Sequence, residues 1–459
     1  MKKTTLPLFF ALLAFVGCDG GSGGPSPSSS DLLSSSGEGG SGSLSSSGEG
    51  GSGNAGPHVS IAPWPGTAVA AYTLIADDFC GGLAGQAHAD TMMANRGMGM
   101  AFGAMVASCS DGDWALARER IGRGHEIINH SWSHMCATTE ERCGSGPTYG
   151  PELYAQEYGQ STDGIERNVG VRPTFFIFPY DESTDTARAY LKGLGYLGAR
   201  AGTKMRLNDD VFDPFTPDFD VNWPEGQKTG RQRWGFVSGM TDALLEQGHG
   251  WGIREIHGVN DGWGPIALDS MRAHADELKR LVDAGKLWVA PPSEVIRYHD
   301  QREHYGAEIA LAVDTTVYPD LDSLVEIDTV YRIDLTGEPL DARYDGRPLT
   351  LVVTGIRLRG EAAVAEQGGR SIMIQKAPRA SFPFVDSLNR TDDPIDVGLS
   401  SASWGGVSPV SSASADSVLD AALLRATSLG WEPSDTLRVE FTPGDGPMTI
   451  RGTFLYYAN

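Results

Sequence analysis

Residues 124–135 read GHEIINHSWSHM. His130 and His134 stand four residues apart, with Ser131, Trp132 and Ser133 between them. On a helical turn or in a tight loop, side chains at i and i+4 point the same way, so two imidazoles can meet on one divalent cation. A cation held by two histidines ordinarily takes a carboxylate as its third protein ligand and keeps one position for water. The chain offers carboxylates upstream. Asp77 and Asp78 follow an apolar run, AAYTLIA at 70–76, that reads as a strand. An Asp pair at a strand end, combined with a later H-x-x-x-H, is far more specific than either part alone.

Outward from this stretch, strands and helices alternate. Residues 70–76, 100–107, 126–130, 174–178, 198–200, 252–257 and 286–290 read as strands. Residues 86–96, 114–121, 152–168, 184–194, 241–246, 267–284 and 294–301 read as helices, with caps expected at 110–113, 183–184 and Ser293. Such alternation over roughly 240 residues points to an α/β fold with a parallel sheet or barrel. Ligands then gather at the carboxyl ends of the strands, where Asp77, Asp78, His130 and His257 all fall.

Asp77-Asp78 followed by GHEIINHSWSHM resembles the polysaccharide deacetylase family, the NodB-homology carbohydrate esterases of family 4. The resemblance covers about residues 70–300. It implies a distorted (β/α) barrel of the NodB-homology type and metal-dependent removal of N- or O-acetyl groups from a polysaccharide. It further implies that Asp77 is the base and that Asp78, His130 and His134 hold the metal. Two histidines and a carboxylate suit zinc foremost, and Co²⁺, Ni²⁺ or Mn²⁺ fit the same set. The family's third motif, R-x-P-[YF], aligns with Ile177, Phe178, Pro179 and Tyr180. Pro179 and Tyr180 are kept, and the main-chain N–H of Tyr180 would complete an oxyanion hole. Ile177 replaces the Arg that positions the base in the family; Arg200, on the next expected strand, is the candidate substitute. The fourth motif is poorly matched. Its nearest text is FDVNW at 219–223, where Trp223 could wall a sugar site. The fifth, L-x-L-x-H, aligns with IREIH at 253–257, with Glu255 in place of the second Leu and His257 as general acid. Asp261 and Trp263 are candidates to line the site. His125 and Asn129 are expected to hold the histidine loop by hydrogen bonds rather than to touch substrate.

The chain has 459 residues and a formal net charge of −23. Nucleic acid is excluded as a partner, because phosphate contact needs a basic face and none is visible. Lys2 and Lys3 precede an apolar run at 6–16 that is too short to span a bilayer and reads as the core of a signal peptide, residues 1–17. Phe15, Val16, Gly17 and Cys18 resemble a bacterial lipobox, which implies lipidation of Cys18 and a membrane anchor in the cell envelope, with the enzyme outside the cytoplasm. An ordinary secretory signal with a chance Cys is the alternative. Residues 18–57 are Ser/Gly-rich, repeat LSSSGEGGSG at 33–42 and 44–53, and cannot bury a core. As a coil of ~39 residues this tether has a mean span of roughly 31–37 Å.

Four further cysteines in an exported chain suggest disulfides, with three connectivities open. Cys80 with Cys109, joining the ends of neighbouring strands, and Cys136 with Cys143, closing a short loop, are the favoured pairs; a Cys-ligated metal is the rival. From residue 306 the helices thin out. Residues 310–318, 324–335, 349–358, 371–376, 437–442 and 448–457 read as strands, and only 417–428 looks helical. This predicts a β-sandwich-like accessory domain, 306–459, behind a deacetylase domain, 58–305. A monomer is expected, with an acetylated xylan, chitin-like oligomer, other exopolysaccharide or peptidoglycan as substrate. Two readings compete: a surface glycan-binding lipoprotein on an inactive deacetylase scaffold, favoured by Ile177, and a β domain serving adhesion or assembly.

Overall fold

The computed structural model describes residues 56–138, 148–202, 204–222, 234–313, 324–344, 347–356, 362–376 and 436–457. The signal peptide and tether with Cys18, the residues Cys143 and Trp223, and the expected helix at 417–428 lie outside the described residues.

Strand β1 (His58–Ile61) leads through a 3-10 turn at Pro65–Thr67 into β2 (Ala70–Phe79). Both faces of β2 are buried. Ala70, Tyr72, Leu74 and Ala76 pack on one side with the outer helices, and Ala71 and Ile75 pack on the other with Ile128, Phe175 and Ile253. A strand covered on both faces needs a continuous apolar run, which is why AAYTLIA shows no alternation. There follow α1 (Gln86–Ala94), β3 (Ala101–Ala104), α2 (Asp111–Gly122) and β4 (Glu126–Asn129). Ser110 and Asp113 close α2 with a reciprocal capping box.

The helix expected at 152–168 is three pieces: a 3-10 turn (Pro151–Leu153), a π-helix (Ala155–Gln160) and α3 (Ser161–Val169). The hydroxyls of Ser161 and Thr162 donate back to the carbonyls of Glu157 and Tyr158, a local competition that distorts the ladder. Next come β5 (Phe175–Ile177), α4 (Asp185–Gly193) capped by Thr184, β6 (Gly198–Arg200), β7 (Asp220–Val221), α5 (Gly239–Gln247), β8 (Trp251–Ile256), α6 (Leu268–Asp283), β9 (Leu287–Val289) and α7 (Pro292–His304). Ser293 is not the cap of α7. Pro291 takes that position, and Ser293 lies in the first turn, where its N–H and hydroxyl donate to the Glu126 carboxylate.

These strands form one parallel curled sheet in the order β6-β5-β4-β3-β2-β8-β7, with β9 beside the first half of β2. It is the expected distorted (β/α) barrel. The remaining strands are β10 (Gly306–Val313), β11 (Leu324–Thr336), β12 (Leu349–Thr354), β13 (Ala362–Gln367), β14 (Arg370–Ile372), β15 (Ile374–Lys376), β16 (Leu437–Phe441) and β17 (Met448–Tyr457). They make two antiparallel sheets, β10-β11-β17-β13-β14 and β1-β12-β16-β15. Ile333, Ala365 and Ile450 of the first share a core with Val59, Leu351, Val353 and Val439 of the second. β13, whose sequence AAVAEQ carries small residues and little alternation, was not legible as a strand. β1 pairs with β12, from His58 opposite Thr354 to Ile61 opposite Leu351, so the first strand of the range read as deacetylase is built into the C-terminal sheet.

Candidate active site

The parallel register sets the rim of the barrel. Ala76 pairs with Ile256 and with Phe102, and Ala104 pairs with Asn129. The residues that follow these last partners, Asp77-Asp78, His257 and His130, therefore emerge together at the carboxyl ends of β2, β8 and β4. Six non-glycine residues here have positive φ: Asp78, Cys80, Ser131, His134, Tyr180 and Asp181. Each costs on the order of 1–3 kcal/mol and persists only where the surroundings impose it.

The constraints are visible. A Cys80–Cys109 disulfide ties the end of β2 to the segment after β3, as expected. Cys136 is also disulfide-bonded, and Cys143 lies outside the described residues. The H-x-x-x-H segment is a tight loop. The Ser131 N–H donates to Asn129 Oδ1 at 2.9 Å and the His134 N–H to Ser131 Oγ at 2.9 Å. Glu157, buried in the π-helix, accepts from the Ser133 N–H (3.0 Å) and hydroxyl (2.7 Å), while its carbonyl accepts from the Trp132 N–H. Asn129 thus holds the loop. His125 sits at the other end of β4, where Nδ1 accepts from the Met100 N–H and Nε2 faces Asp90 at 3.1 Å.

Asp78, His130 and His134 converge. Each imidazole Nε2 stands 3.3 Å from Asp78 Oδ1, and that oxygen is buried with no hydrogen-bond partner. Ligand atoms about 2.0–2.1 Å from a tetrahedral zinc lie about 3.3–3.4 Å apart, so the spacing fits a cation. His130 Nδ1 bonds to the Ile177 carbonyl at 3.0 Å, which fixes the tautomer that turns Nε2 inward. Burial opposes charge on Asp78, but contact with His130 and the charges of His134 and His257 outweigh it and hold the carboxyl well below its usual range. Burial, reinforced by the charge of His130, lowers the His134 imidazole to about 4. His130 is raised despite its burial, through Asp78 and Asp77.

Asp77 is buried beside this trio, with Oδ2 at 3.9 Å from His130 Nε2. Arg200 grips it with two parallel hydrogen bonds, Nη1 to Oδ1 at 2.9 Å and Nη2 to Oδ2 at 2.6 Å. Arg200 is the register partner of Ile177, so the guanidinium enters from the strand position adjoining the one where the family motif carries it. Arg200 also bonds Asp181 (2.7 Å) and stands 3.2 Å from Glu255, and Lys204 pairs with Asp181 at 2.8 Å.

Asp77, Glu255 and His257 form a second cluster with metal-ligand spacing, but the Arg200 guanidinium already occupies it, and a cation beside a cation is repulsive. Burial raises the Glu255 carboxyl well above its ordinary range against the pull of Arg200. Arg200 thus lies among three acids, Asp77, Asp181 and Glu255, with Lys204 beside Asp181. His257 directs Nε2 toward Asp78 Oδ2 at 3.7 Å, while its buried Nδ1 lies 3.8 Å from Glu255 Oε1.

Two exposed rings flank the centre. Tyr180, next to the buried Pro179, lies 5.1 Å from the His134 ring, and Trp263 lies 5.2 Å from the His257 ring. Asp261 binds main chain through Oδ2, which accepts from the Gly85 N–H at 2.7 Å. Sequence reading missed the roles of Asp181, Glu157 and Gln86. Position 255 alone carried a signal, an acid where the fifth motif has Leu.

Residues 86–199 match the model of a family described as Polysaccharide deacetylase. Among solved structures the chain is similar to a family 4 acetyl xylan esterase from Clostridium thermocellum in complex with cobalt, at 17% identity over 49% of this chain and 89% of that one, TM-score 0.31. It is also similar to peptidoglycan deacetylase PdaC from Bacillus subtilis (18% identity, 51% and 93% covered, TM-score 0.32). A third is a family 4 carbohydrate esterase from Streptomyces lividans in complex with acetate (17% identity, 48% and 90% covered, TM-score 0.30). No curated protein matches.

Proposed function

We propose that this chain, whose residues 86–199 match the polysaccharide deacetylase family model, hydrolyses acetyl groups from a polymeric carbohydrate with the help of one divalent metal ion. The observation that carries the reading is the convergence of His130 and His134 on the orphaned Asp78 oxygen, directly beside a carboxylate held by Arg200.

Asp78, His130 and His134 would hold the ion, with zinc the best match to the donor set. When bound, it polarises the acetyl carbonyl and makes water more acidic. Asp77 takes the proton from the attacking water. Arg200 holds that carboxylate in plane through two hydrogen bonds, so it meets the water in a fixed orientation. The Tyr180 N–H donates to the oxygen that gains charge as the tetrahedral carbon forms. His257 gives a proton from Nε2 to the leaving nitrogen or oxygen. Glu255 lies behind His257, 3.8 Å from its Nδ1, and backs the imidazole on the side away from Asp78. Tyr180 and Trp263 wall the cleft and offer flat apolar faces to sugar rings.

The Ile177 replacement would favour a binding scaffold without turnover, but Arg200 supplies the guanidinium from the adjoining strand, which supports an active enzyme. Secretion, lipidation at Cys18 and a tether to the cell envelope form part of this proposal, as does a monomeric state. Acetate release from acetylated xylan, chitin oligomers and peptidoglycan tests it. The wild-type protein releases acetate from at least one polymer, and Asp77→Asn and His257→Ala lower the rate at least 100-fold. Absence of release from all three by a folded, metal-loaded protein supports the binding scaffold instead.

A further inference from the structure

Gln86 is the first residue of α1 and is buried, with 1% of its surface exposed. Its side-chain amide does not serve its own helix. Nε2 donates to the carbonyl of Asp77 at 2.6 Å and to the carbonyl of His257 at 2.9 Å. Those carbonyls belong to the base and the acid of the proposed reaction. The β2–β8 ladder ends with Ala76 opposite Ile256, so Asp77 and His257 are the first pair beyond the last rung.

The helix start is pressed into place for this contact. The Gly85 N–H is held by Asp261, and a Cβ on Gly85 would lie 2.0 Å from the Val259 carbonyl oxygen and 2.3 Å from Asp261 Oδ1. Only glycine lets α1 approach the 257–261 loop closely enough for a Gln side chain to reach both strands.

We infer that Gln86 is a positioning residue that sets the separation of the catalytic base and acid by bridging the main chain of the two strands that carry them. One amide NH₂ replaces the missing rung of the ladder, and its two hydrogens fix two carbonyls at once. Asp77 and His257 lie beyond the last β2–β8 pair and would otherwise have no rung of that ladder between them. Asp78, His130 and His134 are not among its partners, so the metal ligands do not depend on it directly.

The inference rests on the deacetylase reading for its kinetic consequence, but its geometry can be tested apart from turnover. Two variants separate hydrogen bonding from packing: Gln86→Met, and Gln86→Glu, which is isosteric and cannot donate while ionised. Crystal structures of the zinc-loaded wild type and of both variants would show the Asp77 and His257 Cα atoms moving apart by roughly half an ångström or more, with the zinc ligands superposing. Superposition of Asp77 and His257 in both variants overturns the inference, whether or not the protein releases acetate. Absence of turnover in the wild type counts against the deacetylase reading alone.

Where the wild type turns over, kcat falls roughly 30–100-fold in both variants, with KM and zinc affinity within about threefold of wild type, as misplacement of reacting groups predicts. A kcat within threefold of wild type in the folded variants, or a parallel loss of zinc affinity, also overturns it.

Discussion

Arg200 is the residue on which the base depends. It is fully buried and touches three carboxylates, Asp77, Asp181 and Glu255. Its removal leaves the buried Asp77 without its cationic partner, which costs on the order of 3–5 kcal/mol. We therefore expect Arg200→Met to unfold at markedly lower urea concentration and to lose at least 100-fold in kcat. Arg200→Lys keeps the charge but cannot form the two-point grip on Asp77, so it recovers stability more than rate. Equal recovery of both would show that charge alone matters. The sequence displayed Asp77-Asp78 and the His130/His134 pair, because each is a local spacing. The Arg was legible only as a possibility, since its relation to Ile177 is a cross-strand register that no local pattern records. Asp181 and Glu255 acquire their meaning from the same guanidinium and were hidden for the same reason.

At the scale of elements, the loop bearing His130 and His134 is shaped from outside itself. In sequence the π-turn that presents Glu157 looks like plain α-helix, because its distortion comes from side chains bonding their own backbone rather than from any break in apolar pattern. Glu157→Gln should weaken zinc binding 10–100-fold, as loss of a group that orients ligands commonly does. Competition with a chromophoric chelator measures this, and unchanged affinity would assign Glu157 to packing only. A different acid reports on α7. Burial raises the Glu126 carboxyl from 4.5 to about 7, against the hydrogen bonds of Ser293. Because its folded value lies above the unfolded one, its contribution to stability is complete below pH 4.5 and is lost as pH rises through about 7. Glu126→Gln cannot ionise, so its urea midpoint should fall less than that of wild type between pH 4.5 and 8. Parallel pH profiles for the two proteins would contradict this.

Across the whole molecule, barrel and sandwich share structure. β1 completes the C-terminal sheet, Leu349 packs in a core with Trp64 and Tyr298, and the Tyr298 hydroxyl donates to the Ala62 carbonyl at 3.0 Å. Thr350 Oγ1 accepts from the Gly66 N–H, and the Tyr344 hydroxyl donates to Asp300. The alternation of strands and helices made the barrel legible, and the period-2 runs announced the sandwich. A boundary at residue 58 followed from composition, which cannot say with which sheet a strand pairs. Removing residues 306–459 should expose Val59 and Trp64 and lower the melting temperature by more than about 5 °C or cause aggregation. An unchanged, cooperative melt would mean that the barrel folds independently of its neighbour.

The proposed chemistry stands or falls with the metal. The most direct measurement is zinc stoichiometry and acetate release on the same protein, chelator-stripped and then titrated with zinc, beside His130→Ala. One zinc should bind per chain, release should vanish on stripping and return in proportion to zinc bound, and His130→Ala should show neither. Release that persists in the stripped protein, with no metal detected, would contradict a metal-dependent deacetylase built on Asp78, His130 and His134.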